Sequence, residues 1–396
     1  MDPNELREFL RERRGCLQDQ RLSFLSLFDL DGLLDGLDNT VGLVHELEVE
    51  GYHLDDEGPV LLADAVARHT TLEKVSFSFC GDAVSEIPFN FFHALAALPN
   101  LKHFRFNVWN NGGEDCQHNN HQLLIEVGLA VSLNQSLQSF QMMGFSPHLD
   151  LQPLFNNVKQ LPHLEKLWIS HDACYHFVLE GEAHTIPDGE LVDPIFGENW
   201  DCPVEELPRV ASAMVAPLAN MIQENMPHLQ DFKFLDHLDT IYCALKPKLA
   251  NIMGAFNMQP LLLALGTNTH LKKLYLSSCA LKESDLDTLI NILEHHNHTL
   301  EELHGYDTVV DTSVSTERLY KLFGYDLADN FTQTEAWQTK CLKIKFLLEL
   351  NKDFRKRDLL SPEATKRDWA NAMIDFRERP DVIFYCLSMN PSFLVM

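Results

Sequence analysis

The chain has 396 residues, 45% of them hydrophobic and 22% charged, with a formal net charge of −27. That length can bury one large core or two, and the composition is that of a soluble globular protein rather than a disordered one. The acidic balance argues against nonspecific nucleic-acid binding and against anionic membrane surfaces, because both draw their affinity from Lys and Arg.

The opening MDPNELREFLRERRG is charged where a secretory signal needs an apolar run, and no stretch reaches the length of a membrane span. The expectation is an intracellular, cytoplasmic protein, with a nuclear location left open. Nine cysteines without a framework then read as reduced thiols, and the sequons at Asn134, Asn297 and Asn330 as unused.

In chain order, residues 1–40 read as a helical, charge-mixed segment whose second half, LSFLSLFDLDGLLDGL, is apolar enough to cover the end of an array. From Val44 onward a slot of the form L-x-x-L-x-L recurs. It is filled by Val44, Leu47 and Val49, then by Leu72, Val75 and Phe77, by Leu101, Phe104 and Phe106, and by Leu137, Phe140 and Met142. It continues with Leu164, Leu167 and Ile169, with Leu229, Phe232 and Phe234, with Leu271, Leu274 and Leu276, and ends at Leu300 and Leu303. The last two hydrophobes of each slot alternate with polar neighbours, as a half-buried strand requires. Steps between fourth positions are 28, 29, 36, 27, 65, 42 and 29, a basal period of 27 to 29 with longer steps that hold insertions. Helical spacing falls between the slots, over 61–69, 88–98, 122–133, 204–224 and 284–296.

The stretch 270–305 states one full unit. Its slot runs into Cys279 and Leu281. Ser284 then offers an N-cap, Asp285 and Asp287 sit in the first turn, and Leu286, Leu289, Ile290 and Leu293 recur at helical spacing. Leu300 restarts the pattern 29 residues after Leu271.

On these residues the chain resembles the leucine-rich repeat family, in its ribonuclease-inhibitor-like subclass, over residues 41–306. The resemblance implies an α/β solenoid with a curved parallel sheet on the concave side, helices outside, and a protein that binds other macromolecules. Because the ends of such an array need covering, residues 1–40 and 307–396 are expected to form helical caps. In that family an Asn or Cys stands three positions after the last strand hydrophobe and satisfies the turn backbone. The positions here are Tyr52, Cys80, Trp109, Phe145, Asp172, His237 and Cys279, of which two match.

Residues between the buried hydrophobes project from the opposite face of the sheet. One column runs Glu48, Ser76, Arg105, Gln141, Trp168, Lys233, Tyr275 and His304, and its neighbour runs Glu50, Ser78, Asn107, Met143, Ser170, Leu235, Ser277 and Tyr306. Trp168 and Tyr275 stand out in the first column as large aromatics, the residue types that anchor interfaces. Insertions are expected near 110–121 and 175–203. The second carries seven acidic residues, no Lys or Arg, and the apolar Ile186, Phe196 and Trp200, a composition suited to a basic partner. The expected partner-binding residues are therefore Glu48, Arg105, Gln141, Trp168, Lys233, Tyr275 and Trp200.

No phosphate-cradling loop, H-E-x-x-H, G-x-S-x-G or paired C-x-x-C occurs. Cys116, His118 and His121 lie in one polar insertion, and His171, Asp172, Cys174 and His176 follow a slot. Neither spacing is that of a zinc site. The expectation is a protein with no catalytic residues, cofactor or metal of its own, binding a protein partner.

Residues 307–396 change character. Lys340, Lys343, Lys345, Lys352, Arg355, Lys356 and Arg357 make the tail locally basic, and Leu342, Phe346, Leu350 and Phe354 predict an amphipathic helix over 340–354. Ser361-Pro362-Glu363 reads as the start of a second helix, and VIFYCLSM as a third. The order LLELNKDFRKRDLL, then RDWANAMIDFRERPDVIFYCLSMNPSFL, resembles the C-terminal module of leucine-rich-repeat-like proteins numerous in diatoms. The run L-x-L-N-x-x-x-R also resembles an adaptor-binding box, which implies a second role, the substrate receptor of a ubiquitin ligase. The two roles part on one point. An adaptor site needs exposed apolar residues over 342–350, whereas a cap buries them.

Overall fold

A computed structural model of the chain describes residues 15–18, 20–25, 30–52, 58–80, 89–109, 116–145, 151–171, 207–236, 258–276, 283–304, 335–353, 359–360 and 364–389. Its strands are β1 (Gly15–Gln18), β2 (Arg21–Leu25), β3 (Glu46–Tyr52), β4 (Lys74–Cys80), β5 (His103–Trp109), β6 (Ser139–Phe145), β7 (Lys166–His171), β8 (Asp231–Asp236), β9 (Lys273–Tyr275) and β10 (Glu302–His304). Its helices are α1 (Leu30–Asn39), α2 (Gly58–Ala67), α3 (Phe89–Ala96), α4 (Cys116–Ser132), α5 (Gln152–Val158), α6 (Leu207–Gln223), α7 (Gln259–Thr267), α8 (Glu283–His295), α9 (Glu335–Lys352), α10 (Lys366–Asp375) and α11 (Pro380–Met389). Contacts divide the chain into one unit of Met1–Pro217 with Lys233–Leu238, and a second of Leu218–Phe232 with Asp239–Met396.

In the first unit β2 to β7 pair in parallel, each with the next. The slot hydrophobes lie in register: Leu22, Leu47, Val75, Phe104, Phe140 and Leu167 form one row, and Phe24, Val49, Phe77, Phe106, Met142 and Ile169 the next. All twelve are buried. Helix α3 covers this apolar face with Phe91 and Phe92. Phe91 meets Phe77 edge-on at 5.0 Å, and Phe92 meets Phe106 at 5.1 Å. Phe104 stacks on Phe140 at 5.8 Å, so aromatic rings run through the core from strand to strand. Where α4 and α5 approach, a Cβ on Gly128 would come within 3.3 Å of the Leu154 Cα, a contact tighter than an ordinary van der Waals approach, so glycine suits this close crossing.

Each repeat is joined to the next by one carbonyl that accepts two consecutive backbone N–H groups. Gln20, His45, Glu73, Lys102 and Gln138 do this at 2.8–3.2 Å in the first unit, and Gln230 and Lys272 repeat it at 2.7–2.9 Å in the second. These seven turns from helix to strand therefore have the same frame.

A buried polar side chain locks that turn from within. Asn134 donates to the Leu98 carbonyl of the preceding repeat at 3.3 Å and accepts from the Ser136 N–H at 3.0 Å. In the second unit Asn268 donates to the Ile222 carbonyl at 2.8 Å and accepts from the His270 and Leu271 N–H groups. Asn297 donates to Leu265 and Asn268 at 2.7 and 3.0 Å and accepts from the Thr299 and Leu300 N–H groups. His69 takes the same place in an earlier repeat, with its Nε2 at 3.0 Å from the Leu37 carbonyl. Each stands three residues before the first leucine of its slot. Burying an amide in this way is tolerable only because both its ends are bonded to backbone that would otherwise be orphaned.

In the second unit β9 and β10 pair in parallel, Leu274 opposite Leu303, and α7 packs on α8. Helix α6 ends on Asn225 in the left-handed region at φ 53, and its side chain accepts from the Thr269 N–H at 2.9 Å. Helix α9 buries Cys341, Ile344, Phe346, Leu347, Leu348 and Leu350, and its Asn351 donates to the Leu300 carbonyl at 2.7 Å. Asn351 thus bonds the backbone ahead of it as the turn asparagines do.

Several expectations change. Residues 15–25 are not helical: β1 and β2 form an antiparallel pair turning through Gln20 at φ 72, and RLSFL is a further slot whose Leu22 and Phe24 are core. Alternation at period two, with both apolar residues facing the β3 row, outweighs the helical spacing of the longer window. Tyr52, Cys80, Trp109 and Phe145 are the last residues of seven-residue strands, not turn residues. Cys80 pairs opposite Trp109 and Tyr52 opposite Phe79, so their backbone groups need no Asn or Cys. Helix α4 begins at Cys116, inside the expected insertion near 110–121, while α5 and α7 lie where no helix was expected. Leu342 is only half-buried, because the buried stripe of α9 runs through Ile344, Leu347, Leu348 and Asn351. Phe354 and the Ser361-Pro362-Glu363 cap lie outside the described residues. Helix α10 begins instead at Lys366, behind a Thr365 cap whose side chain and that of Asp368 each accept from the other's backbone N–H.

Candidate functional site: the polar strand faces

The face of the first unit's sheet opposite the core carries three polar rows. In the central row Glu48, Ser76, Arg105, Gln141 and Trp168 stand opposite one another on successive strands, so the expected column is a true register row. Beside it Ser78, Asn107, Met143 and Ser170 align, whereas Glu50 is displaced by a register shift between Val49 and Tyr52. A third row, which the slot pattern did not single out, aligns Arg21, Glu46, Lys74, His103, Ser139 and Lys166. It sits just before the slot's fourth position and was visible as the polar residue preceding each strand hydrophobe.

Trp168 is half-buried, and the Lys233 ammonium lies over its ring at 3.7 Å from the centroid. Its indole N–H is buried and has no hydrogen-bond partner among the described residues. The Arg105 guanidinium is exposed, with Asn107 Oδ1 at 3.4 Å and Met143 Sδ at 3.8 Å. Glu48 is bonded by Arg21, and Lys74 meets Glu46 at 3.1 Å. His103 is held below the ordinary imidazole pKa by partial desolvation first, then by Lys74, Lys166 and Lys102.

In the second unit Tyr275 stacks on His304 with centroids 4.3 Å apart and rings parallel within 1°. The Tyr275 hydroxyl donates to Glu302 at 3.4 Å, and Lys273 donates to the same carboxylate at 2.8 Å. The Lys273 bond depresses the Glu302 pKa, while desolvation and then Glu302 push up the phenol. Tyr275 therefore belongs to a local network and is not a bare aromatic anchor.

The basic tail is likewise engaged within its unit. Lys340 meets Asp287 at 2.8 Å and Lys343 meets Glu294 at 2.6 Å, tying α9 to α8, while Lys352 and Arg379 converge on Glu349.

Trp200 and the rest of the 175–203 insertion lie outside the described residues, as do the side chains of Cys116, His118, His121 and His171. Among the described residues no group of three or more His, Cys, Asp or Glu is placed to hold a metal, and no helix is long and apolar enough to cross a membrane.

The first unit thus defines a strand-helix repeat whose helices cover the apolar face of a parallel sheet and whose other face is polar. No family model matches the sequence, and no curated protein matches it significantly. Among solved structures the chain is similar to the leucine-rich repeat-containing protein LegL7 from Legionella pneumophila, at 12% identity over 77% of this chain and 98% of that one, with a TM-score of 0.30.

Proposed function

We propose that the chain is a non-catalytic scaffold of the leucine-rich-repeat kind that recognises a protein partner on its polar strand face. The observation that carries this reading is the in-register row from Glu48 through Arg105 and Gln141 to Trp168, a rigid display of side chains that the core does not use. Backbone fixed by neighbours on both sides holds such groups at little entropic cost to a binding partner. Tyr275 and Lys233 join the same reading, each on its own strand, and Trp200 supplies a contact from the insertion. The substrate-receptor alternative needs apolar residues of α9 at the surface. Leu347, Leu348 and Leu350 are buried, which favours the cap.

The test is affinity capture from native extract with wild type, a Trp168→Ala/Tyr275→Ala variant and an Arg105→Ala/Gln141→Ala variant, each first shown to melt as wild type does. A partner lost from both variants supports strand-face recognition. Partners retained by both overturn it, and ubiquitin-ligase adaptors among those retained establish the alternative.

A further inference from the structure

The sign of charge on the strand face opposes that of the whole protein. Across β4 to β7, whose sequences are KVSFSFC, HFRFNVW, SFQMMGF and KLWISH, there is no Asp or Glu, although the chain contains 58 of them. The same strands present Lys74, Arg105 and Lys166, all exposed, and Lys233 adds its ammonium above Trp168. Arg105 and Lys166 make no ion pair among the described residues. Among the described residues Lys74 pairs only with a half-exposed Glu46, a contact weak enough to exchange for another carboxylate. The patch is bounded at β3 by Glu46 and Glu48, and Glu165 stands at the entry to β7 rather than on the strand.

Resting on the reading of this face as the recognition surface, we infer that it binds an extended acidic segment of a partner protein, whose carboxylates meet Lys74, Arg105 and Lys166 beside Trp168. The spacing suits such a segment. Lys74 and Lys166 share one row three strands apart, which at about 4.8 Å per strand is roughly 14 Å, the span of about four extended residues. Arg105 stands in the adjacent row between them. A carboxylate series crossing the strands therefore meets a cation at each end and another along its path. A long polyanion such as a nucleic acid is disfavoured, since beyond the patch it meets Glu46, Glu48 and the field of a chain of net charge −27.

The test uses the full chain and three fluorescent probes of equal length, an oligoglutamate peptide, an oligolysine peptide and a single-stranded oligonucleotide, titrated by anisotropy. Oligoglutamate is expected to bind, more weakly as salt rises, and to lose about tenfold or more in affinity with Arg105→Glu/Lys166→Glu. Lys159→Glu, off the face, is expected to leave it unchanged. Absent oligoglutamate binding, or binding undiminished by the double reversal, overturns the inference, as does tighter oligonucleotide binding. Preferred binding of oligolysine that Trp168→Ala abolishes overturns the acidic partner alone and leaves strand-face recognition standing.

Discussion

The Lys233 ammonium sits 3.7 Å from the centre of the Trp168 ring, so the tryptophan of the first unit's central polar row is covered by a cation. Such a pair is worth about 0.5–1 kcal/mol at exposed sites. A double-mutant cycle with Trp168→Leu and Lys233→Met, read by urea unfolding, is expected to give a coupling of that size. Strict additivity of the two changes would rule the interaction out.

Asn297 holds four backbone groups with one side chain. Asn297→Ala orphans them in a buried turn and is expected to cost roughly 2–4 kcal/mol. Asn297→Asp keeps the acceptor but loses the donor, and is expected to be at least as damaging because it buries a charge. Denaturant midpoints compared at equal slope provide the measurement.

His69 is buried, and desolvation, its largest influence, lowers its pKa. Between the depressed folded value and the ordinary 6.5, the unfolded chain binds a proton that the folded chain refuses. Its contribution is therefore complete above pH 6.5 and is lost as pH falls through the folded value. The difference in stability between wild type and His69→Asn is expected to shift in favour of the variant over that fall. A pH-independent difference would show that His69 does not titrate in this window.

Cys341 and Cys386 are free and buried, and burial pushes the Cys386 thiol up to about 12. Only the thiolate reacts. Mass-mapped alkylation at neutral pH is expected to leave Cys386 unmodified in the folded protein and to modify it fully in denaturant. Rapid native labelling would mean that α11 opens.

The strand slots were legible because period-two alternation needs only a few residues, and the register of Glu48, Ser76, Arg105, Gln141 and Trp168 followed from slot position alone. RLSFL was lost to a longer apolar window in which helix and strand spacings overlap. The locking asparagines are not legible from the family pattern, whose polar position lies at the end of the slot. Their signal stands ahead of it, in Asn134, Asn268 and Asn297, each three residues before a leucine, and the first and last of these also head sequons. Their burial at 3% and 1% exposure closes them to glycan attachment in the folded state. The basic tail misled for another reason. Its lysines answer Asp287 and Glu294, which are distant in sequence, so no local charge count reveals the pairing.

The locked turns also govern where this chain accepts extra length. From Asn39–Glu46 to His295–Glu302, between 5 and 7 residues separate every described helix from the strand that follows. From β2 onward, the interval from a strand to the next described helix ranges from 4 residues to the 35 between His171 and Leu207. Among the described residues the shared carbonyls and the asparagines measure the helix-to-strand turns, and the variation in length falls between strand and helix. A peptide tag placed between Cys80 and Phe89 is therefore expected to leave the melting temperature near that of wild type, while the same tag between Ala96 and His103 is expected to lower it.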